Sequence, residues 1–215
     1  MKKVFIFDLN GTLVDDMKFH QEAWYHVLRE LGAQLSYEEV IHELYGKDEE
    51  LLSRIFARPF VASDVEVITE KVEKRYQDTV RNRLQPIEGL LQFLHTLKAK
   101  NKIMAIGTGA SPLNTEFILN QLNIENLFDA IVKADDVSQG KPHPETYLKI
   151  SSQLDVTPSA CVVFEDAPSG AEAAIKAGMD CVVITTLHSP EQFSLNSEVK
   201  FFIHDYNDAR LQTLL

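Results

Sequence analysis

Short, mostly apolar segments recur along this chain, and helical patterns separate most of them. The segments occupy residues 4–7, 102–108, 129–133, 161–166, 181–185 and 201–203. An apolar run of this length is typical of a strand buried on both faces of a sheet. Apolar residues at helical spacing precede the second segment, for example Leu90, Leu94 and Leu97. The alternation predicts βαβ units and a doubly wound, mostly parallel, Rossmann-like α/β sheet.

One long stretch, residues 15–84, interrupts this alternation directly after the first segment. It shows no convincing strand pattern, but it carries apolar stripes at helical spacing, such as Ala23, Val27 and Leu28. Residues 65–83 have the pattern of one long, charged helix. We therefore expect an α/β core of residues 1–14 and 85–215 and an inserted all-helical domain of residues 15–84, with hinges near Val14 and Leu84.

Charge and composition argue against several classes of function. The formal net charge is −11, and the basic residues are interleaved with acidic ones, so no nucleic-acid surface is expected. No apolar run approaches the length of a membrane span. The apolar run after the two N-terminal lysines ends at Asp8, too early for a signal peptide. We expect a cytoplasmic protein, a monomer, with Cys161 and Cys181 reduced inside strands.

Polar residues stand at the carboxyl ends of the predicted strands and in the loops beyond them. In an open parallel sheet these ends lie along one edge, where ligands bind. Phosphoryl transfer needs a nucleophile, cationic groups for the phosphate charge and hydrogen-bond donors for its oxygens. The sequence offers all three kinds of group, on four separate segments: Asp8, Asn10, Gly11, Thr108, Gly109, Lys141, Glu165 and Asp166.

The residue types indicate how the first two of these segments could act on a phosphate. A carboxylate at Asp8 can attack phosphorus and form an aspartyl-phosphate. Gly11 allows the backbone to turn tightly beside the phosphate. The Thr108 hydroxyl could donate to a phosphate oxygen. Gly109 leaves backbone N–H groups accessible before a helix that starts near Pro112.

The later segments supply the charged groups. One ammonium group, Lys141 in the sequence GKPHPE, could neutralise both the nucleophile and the phosphate. Glu165 and Asp166 follow a strand directly. Together with Asp8 they offer hard oxygen ligands that suit Mg²⁺.

The pattern FDLNGTLVD, GTGAS, GKPHPETY and VVFEDAPSGAEAAIKAG resembles the four motifs of the haloacid dehalogenase superfamily, in order and spacing. The resemblance covers nearly the whole chain. It implies that Asp8 is the nucleophile and a metal ligand. It further implies that the backbone carbonyl of Asn10 and the side chain of Asp166 bind Mg²⁺, with Glu165 as a further ligand, either directly or through water. Thr108 and Lys141 would hold the phosphoryl group.

The helical insertion resembles the small cap domain of the same superfamily. Within it, Asp15, His20, Ala23 and Trp24 form a pattern similar to that of the β-phosphoglucomutase-like subfamily. In that family the cap closes over the cleft and supplies specificity. The resemblance therefore makes His20 and Lys47 candidates for contact with the substrate, a small phosphorylated metabolite.

One position departs from the superfamily pattern. Its phosphatases and mutases carry a second aspartate two residues after the nucleophile, as the proton donor and acceptor, whereas this chain has Asn10. Such a catalyst is worth about 10²–10⁴-fold. Three explanations stay open. The leaving group needs no proton, as in an acyl phosphate or pyrophosphate; another group such as His20 carries the proton; or Asn10 is an engineered replacement.

A second departure concerns the choice between phosphatase and mutase. The cap arginine and lysine of a β-phosphoglucomutase align with Glu49 and Tyr45, and residues after its second motif align with Ala110 and Pro112. Glu49 would repel a second phosphate group. We therefore favour an Mg²⁺-dependent phosphatase over a sugar-phosphate mutase. A catalytically impaired phosphometabolite-binding protein is the third alternative.

Overall fold

A computed structural model describes residues 2–44, 46–195 and 197–215. Tyr45, which aligns with a cap lysine, lies outside the described residues. The chain divides into two compact units. The larger comprises Met1–Asp15 and Leu84–Leu215, and the smaller comprises Asp16–Arg83.

Among its described residues, the smaller unit contains helices and connecting loops but no strand. Its helices are α1 (Met17–Glu30), α2 (Tyr37–Glu43), α3 (Asp48–Phe56) and α4 (Ala62–Val80). Trp24, Val27 and Leu28 are buried on α1, and Val72 and Tyr76 are buried on α4. The long helix predicted for residues 65–83 therefore begins and ends three residues earlier. None of the described helices, in either unit, is long and apolar enough to cross a membrane.

The larger unit is built on a six-stranded parallel sheet of order β3-β2-β1-β4-β5-β6. Its strands are β1 (Val4–Phe7), β2 (Ile103–Gly107), β3 (Ala130–Val132), β4 (Cys161–Glu165), β5 (Asp180–Ile184) and β6 (Phe201–Ile203). Every predicted apolar segment forms a strand. The doubly wound α/β class predicted from the alternation is thus confirmed.

Alternate side chains of β1 enter two different apolar cores, which explains the uninterrupted apolar run. Phe5 and Phe7 belong to one core, and Val4 and Ile6 belong to the other. A strand side chain points to the opposite face from its neighbour, so a strand covered on both faces needs apolar residues throughout.

Helices cover both faces of the sheet. The face of Phe5 and Phe7 packs against α5 (Leu90–Ala99) and α6 (Pro112–Leu122). The opposite face packs against α7 (Glu145–Gln153) and α8 (Pro168–Lys176). The strand order runs outward from β1 through β2 to β3 and then resumes at β4 on the other side of β1. This reversal creates a switch point at the carboxyl ends of β1 and β4, where open α/β sheets bind ligands.

Candidate active site

The turn after β1 brings two carboxylates together. Asp8 follows β1 directly, and its N–H donates to the carbonyl of Phe164 in β4 at 2.9 Å. Gly11 adopts a φ of 75°, and a Cβ at this position would lie 2.1 Å from Asp166 Oδ2. The Thr186 hydroxyl donates to the Gly11 carbonyl at 2.8 Å. The left-handed glycine therefore lets the backbone after Asp8 approach the Asp166 carboxylate closely.

Lys141 links the nucleophile candidate to the end of β4. Its Nζ donates to Asp8 Oδ1 at 2.6 Å, to Glu165 Oε1 at 2.5 Å and to the Gly107 carbonyl at 3.0 Å. The Lys141 side chain is only 12% exposed. The ammonium group is therefore held by three acceptors at the switch point.

The cluster has more negative than positive charge. Asp8, Glu165 and Asp166 each offer a carboxylate oxygen, and these atoms lie within 4.8 Å of one another. Burial raises the pKa of Asp8 to about 7 against the opposing effect of Lys141. Burial and the neighbouring carboxylates raise the pKa of Asp166 well above its usual value. The pKa of Lys141 is raised because the two carboxylates it contacts outweigh the effect of its burial.

The excess of negative charge in the cluster bears on whether these residues fit a metal ion. Three buried carboxylates face one ammonium group, so a further cation would remove the repulsion that raises the carboxylate pKa values. Carboxylate oxygens are also the ligands that hard divalent cations take. Asp8, Glu165 and Asp166 could therefore hold a metal ion.

Thr108 and Gly109 lie at the end of the neighbouring strand. The N–H of Thr108 donates to the Val132 carbonyl at 3.0 Å, and its Oγ1 accepts from the N–H of Ala110 at 3.0 Å. Because Oγ1 serves as the acceptor there, the hydroxyl proton can be donated elsewhere. A Cβ at Gly109 would meet nothing within 4 Å, so the backbone at this position is open.

Two of the predicted substrate contacts belong to the smaller unit and make their observed contacts there. The His20 ring stacks on Tyr76 with centroids 3.8 Å apart, and its Nε2 lies 3.8 Å from Asp16 Oδ2. Burial lowers the pKa of His20 to about 4. Lys47 precedes α3, and its backbone N–H donates to Glu50 Oε2 at 3.2 Å.

The structure thus gathers Asp8, Gly11, Lys141, Glu165 and Asp166 around the switch point. Thr108 and Gly109 lie at the end of the adjacent strand β2, and the half-buried Asn10 lies in the turn after Asp8. His20 and Lys47 belong to the other compact unit.

Sequence patterns did not single out Tyr147 or Gly170. The buried Tyr147 hydroxyl donates to Glu165 Oε1 at 2.5 Å, and Lys141 Nζ lies 5.1 Å from the Tyr147 ring centre. A Cβ at Gly170 would lie 1.9 Å from Glu165 Oε1, so this glycine makes room for the carboxylate. Both residues occur within the motifs GKPHPETY and VVFEDAPSGAEAAIKAG, and this position was the only sign in the sequence that they could belong to the site.

The loop that carries Lys141 is anchored by Glu145. The carboxylate of Glu145 accepts from the N–H and hydroxyl of Ser138, at 2.8 and 2.7 Å, and from the N–H of Gln139 at 2.9 Å. These hydrogen bonds lower the pKa of Glu145. One side chain on the first turn of α7 therefore orders the residues immediately before Lys141.

A doubly wound parallel sheet with a lysine-linked carboxylate cluster at its switch point is the architecture of an α/β enzyme whose chemistry centres on carboxylates. The family model described as haloacid dehalogenase-like hydrolase matches residues 5–184. The chain belongs to this family, and the superfamily predicted from the four motifs is confirmed.

Individual relatives agree with this assignment. The validoxylamine A 7'-phosphate phosphatase of Streptomyces hygroscopicus subsp. limoneus is 31% identical over 210 residues, covering 98% of this chain and 97% of that protein. A β-phosphoglucomutase of Bacillus subtilis is 31% identical over 188 residues, covering 84% and 82%. The crystal structure of a family IA, variant 3 hydrolase from Entamoeba histolytica superposes with a TM-score of 0.88 at 27% identity, covering 100% and 97%. The chain is an enzyme of this hydrolase family, whose members include phosphatases.

Proposed function

We propose that this enzyme is an Mg²⁺-dependent phosphatase of a small phosphorylated metabolite and that Asp8 is its nucleophile. The observation that carries the proposal is the contact of Lys141 with both Asp8 and Glu165, beside Asp166, at the switch point. A carboxylate nucleophile, a fixed cation and a candidate metal site are thereby assembled in the larger unit. The phosphatase among the relatives supports the same chemistry.

Two displacements at phosphorus complete the proposed reaction. A carboxylate oxygen of Asp8 attacks phosphorus, and the bond from phosphorus to the leaving oxygen breaks. Asp8 then carries the phosphoryl group as an acyl phosphate. Water attacks this phosphorus next, so inorganic phosphate leaves and the Asp8 carboxylate is restored. Lys141, Thr108 and the backbone N–H groups near Gly109 bind the phosphoryl oxygens during both displacements.

Asp8, the backbone carbonyl of Asn10, Glu165 and Asp166 are the proposed ligands of Mg²⁺. When bound, the ion supplies positive charge to the phosphoryl oxygens and offsets the repulsion among the carboxylates. The buried and mutually repelling carboxylates support this assignment. Asp8 thereby stays ionised and able to act as a nucleophile.

Asn10 determines which leaving groups the enzyme can expel. An amide donates a hydrogen bond, but it does not transfer a proton to a departing alkoxide. We therefore expect acetyl phosphate and p-nitrophenyl phosphate to be better substrates than hexose phosphates, because their leaving groups need no proton. The Asn10→Asp variant should raise kcat for hexose phosphates by about 10²–10⁴-fold.

A substrate panel tests the proposal. Phosphate release is measured with and without Mg²⁺ from acetyl phosphate, pyrophosphate, p-nitrophenyl phosphate and several hexose phosphates. The wild type should turn over, Asp8→Asn should not, and Asn10→Asp should gain most on the hexose phosphates. Asp15→Asn, which removes the same charge from an exposed side chain, is the matched control and should retain activity. Equal activity of Asp8→Asn and wild type would contradict the nucleophile assignment.

A mutase is the second candidate, because a β-phosphoglucomutase is among the relatives. Its signature in the same panel would be isomerised sugar phosphate without free phosphate. Tight Mg²⁺-dependent binding of phosphometabolites without any turnover would instead indicate the binding-protein alternative.

A further inference from the structure

Every proton of the Lys141 ammonium group is already committed. A lysine ammonium has three donors, and the structure gives it three acceptors: Asp8 Oδ1, Glu165 Oε1 and the Gly107 carbonyl. To bind a phosphoryl oxygen, Lys141 must therefore release one of these acceptors. Which acceptor it releases depends on how well each one is satisfied without the lysine.

The Asp8 carboxylate also accepts a backbone N–H, that of Leu9, but Glu165 has a second side-chain donor on the same oxygen that Lys141 contacts. Its Oε1 receives both the Lys141 ammonium and the Tyr147 hydroxyl, each at 2.5 Å. Its Oε2 accepts from the backbone N–H groups of Asp166 at 3.1 Å and Ala167 at 3.4 Å. The carboxylate is 1% exposed, so water does not readily replace a lost donor. Without the Tyr147 hydroxyl, loss of Lys141 would leave Oε1 buried with no donor from these two side chains.

Tyr147 is fixed in place by its surroundings. The residue is fully buried, and a Cβ on Gly107 would lie 3.0 Å from Tyr147 Cε1, so the ring packs directly on the backbone of β2. The Lys141 ammonium lies 5.1 Å from the ring centre. The hydroxyl is therefore held at Glu165, whereas the longer lysine side chain has more rotatable bonds.

We propose that Tyr147 is a positioning residue that allows Lys141 to exchange its bond with Glu165 for a bond with the phosphoryl group. The inference rests on the proposed role of Lys141 in phosphate binding. In a Tyr147→Phe variant, the same exchange would leave Glu165 Oε1 without this second donor. An unsatisfied buried charged acceptor is costly, so Lys141 would remain on Glu165 and phosphate would bind about tenfold more weakly.

Calorimetric titration with inorganic phosphate in the presence of Mg²⁺ tests the proposal without relying on turnover. Wild type, Tyr147→Phe and Tyr76→Phe are compared. Tyr76→Phe is the matched control, because its hydroxyl also donates to a buried carboxylate, that of Asp16, in the smaller unit. Tyr147→Phe should raise the Kd for phosphate by about tenfold and should change the Kd for Mg²⁺ by a much smaller factor, whereas Tyr76→Phe should change neither.

Three results would contradict the proposed role of Tyr147. Equal phosphate affinity of Tyr147→Phe and wild type would overturn the inference while leaving the proposed function intact. A loss of Mg²⁺ affinity by the same factor would also overturn it, because Tyr147 would then act on the metal site rather than on Lys141. A wild-type protein that binds Mg²⁺ but no phosphate would contradict the proposed function itself, and the inference with it.

Discussion

At the scale of single residues, the site depends on glycines, whose lack of a side chain makes room for the carboxylates. Gly11 and Gly170 stand where a Cβ would overlap the carboxylates of Asp166 and Glu165. The Asp166 carboxylate consequently lies against the backbone of the turn after β1, and the Glu165 carboxylate lies against the backbone of α8. Close packing of this kind leaves little freedom for substitution.

Substitution of Gly11 by alanine should damage both the fold and the proposed metal site. The residue has a φ of 75°, which is unfavourable for alanine, and the new Cβ would displace the Asp166 carboxylate. We expect a loss of about 1–3 kcal/mol in the free energy of unfolding, together with weaker Mg²⁺ binding. Urea unfolding followed by circular dichroism, and Mg²⁺ titration, measure the two effects.

Gly140→Ala provides the control, because a Cβ at Gly140 meets nothing within 4 Å. Its free energy of unfolding should match that of the wild type. If Gly11→Ala were as stable as Gly140→Ala and bound Mg²⁺ equally well, the close approach of Gly11 to Asp166 would not matter.

The site could be predicted in part because charged residues at strand ends are visible in the sequence. Asp8, Glu165 and Asp166 each follow an apolar run, so the switch-point geometry placed them together. Tyr147 could not be found this way. It lies eighteen residues before Glu165 in the chain, and its hydrogen bond depends on how α7 packs against β2 and β3. Local patterns carry no information on contacts of that range.

At the scale of elements, the short apolar runs predicted the strands more accurately than the helical spacing of apolar residues predicted the ends of helices. The segment 4–7 matches β1 residue for residue, since both faces of the strand are buried and the apolar run ends at Asp8. The start of α4 was missed because Ala62, Ser63 and Asp64 are polar or small and add nothing to the apolar stripe. Helix ends depend on capping and chain entry, which the stripe does not encode.

The pairing of α1 with α4 makes the smaller unit sensitive to acid. Burial lowers the pKa of His20 from 6.5 to about 4, although the Asp16 carboxylate is near. Below pH 6.5 the unfolded chain binds the proton that folded His20 does not, so stability falls as the pH drops from about 6.5 to about 4. The expected loss is about 1.4 kcal/mol per pH unit within this range.

Fluorescence of Trp24, the single tryptophan of the chain, reports on this unit because the residue lies on α1. Urea unfolding is followed for wild type and His20→Gln at about pH 7 and about pH 5. The wild type should lose about 2 kcal/mol more than His20→Gln between the two conditions. Equal losses would show that His20 is protonated in the folded unit.

At the scale of the whole molecule, the chain comprises a larger unit that contains the candidate active site and a smaller helical unit with no assigned role. The larger unit by itself contains the carboxylates, Lys141, Thr108 and the open backbone at Gly109. The residues proposed to carry out phosphoryl transfer therefore all lie in the larger unit. His20 and Lys47 stay proposals for specificity, and His20 for proton transfer.

The central claim is that Asp8 takes up the phosphoryl group. Because Asn10 cannot act as the base for hydrolysis, the acyl phosphate should accumulate during turnover of acetyl phosphate. The most direct measurement is mass spectrometry of protein quenched in acid after mixing with acetyl phosphate and Mg²⁺. We expect one added phosphoryl group on the peptide that contains Asp8. The adduct should be labile to hydroxylamine and absent from Asp8→Asn. Turnover without this adduct in wild type, combined with undiminished turnover in Asp8→Asn, would contradict the assignment of Asp8 as the nucleophile.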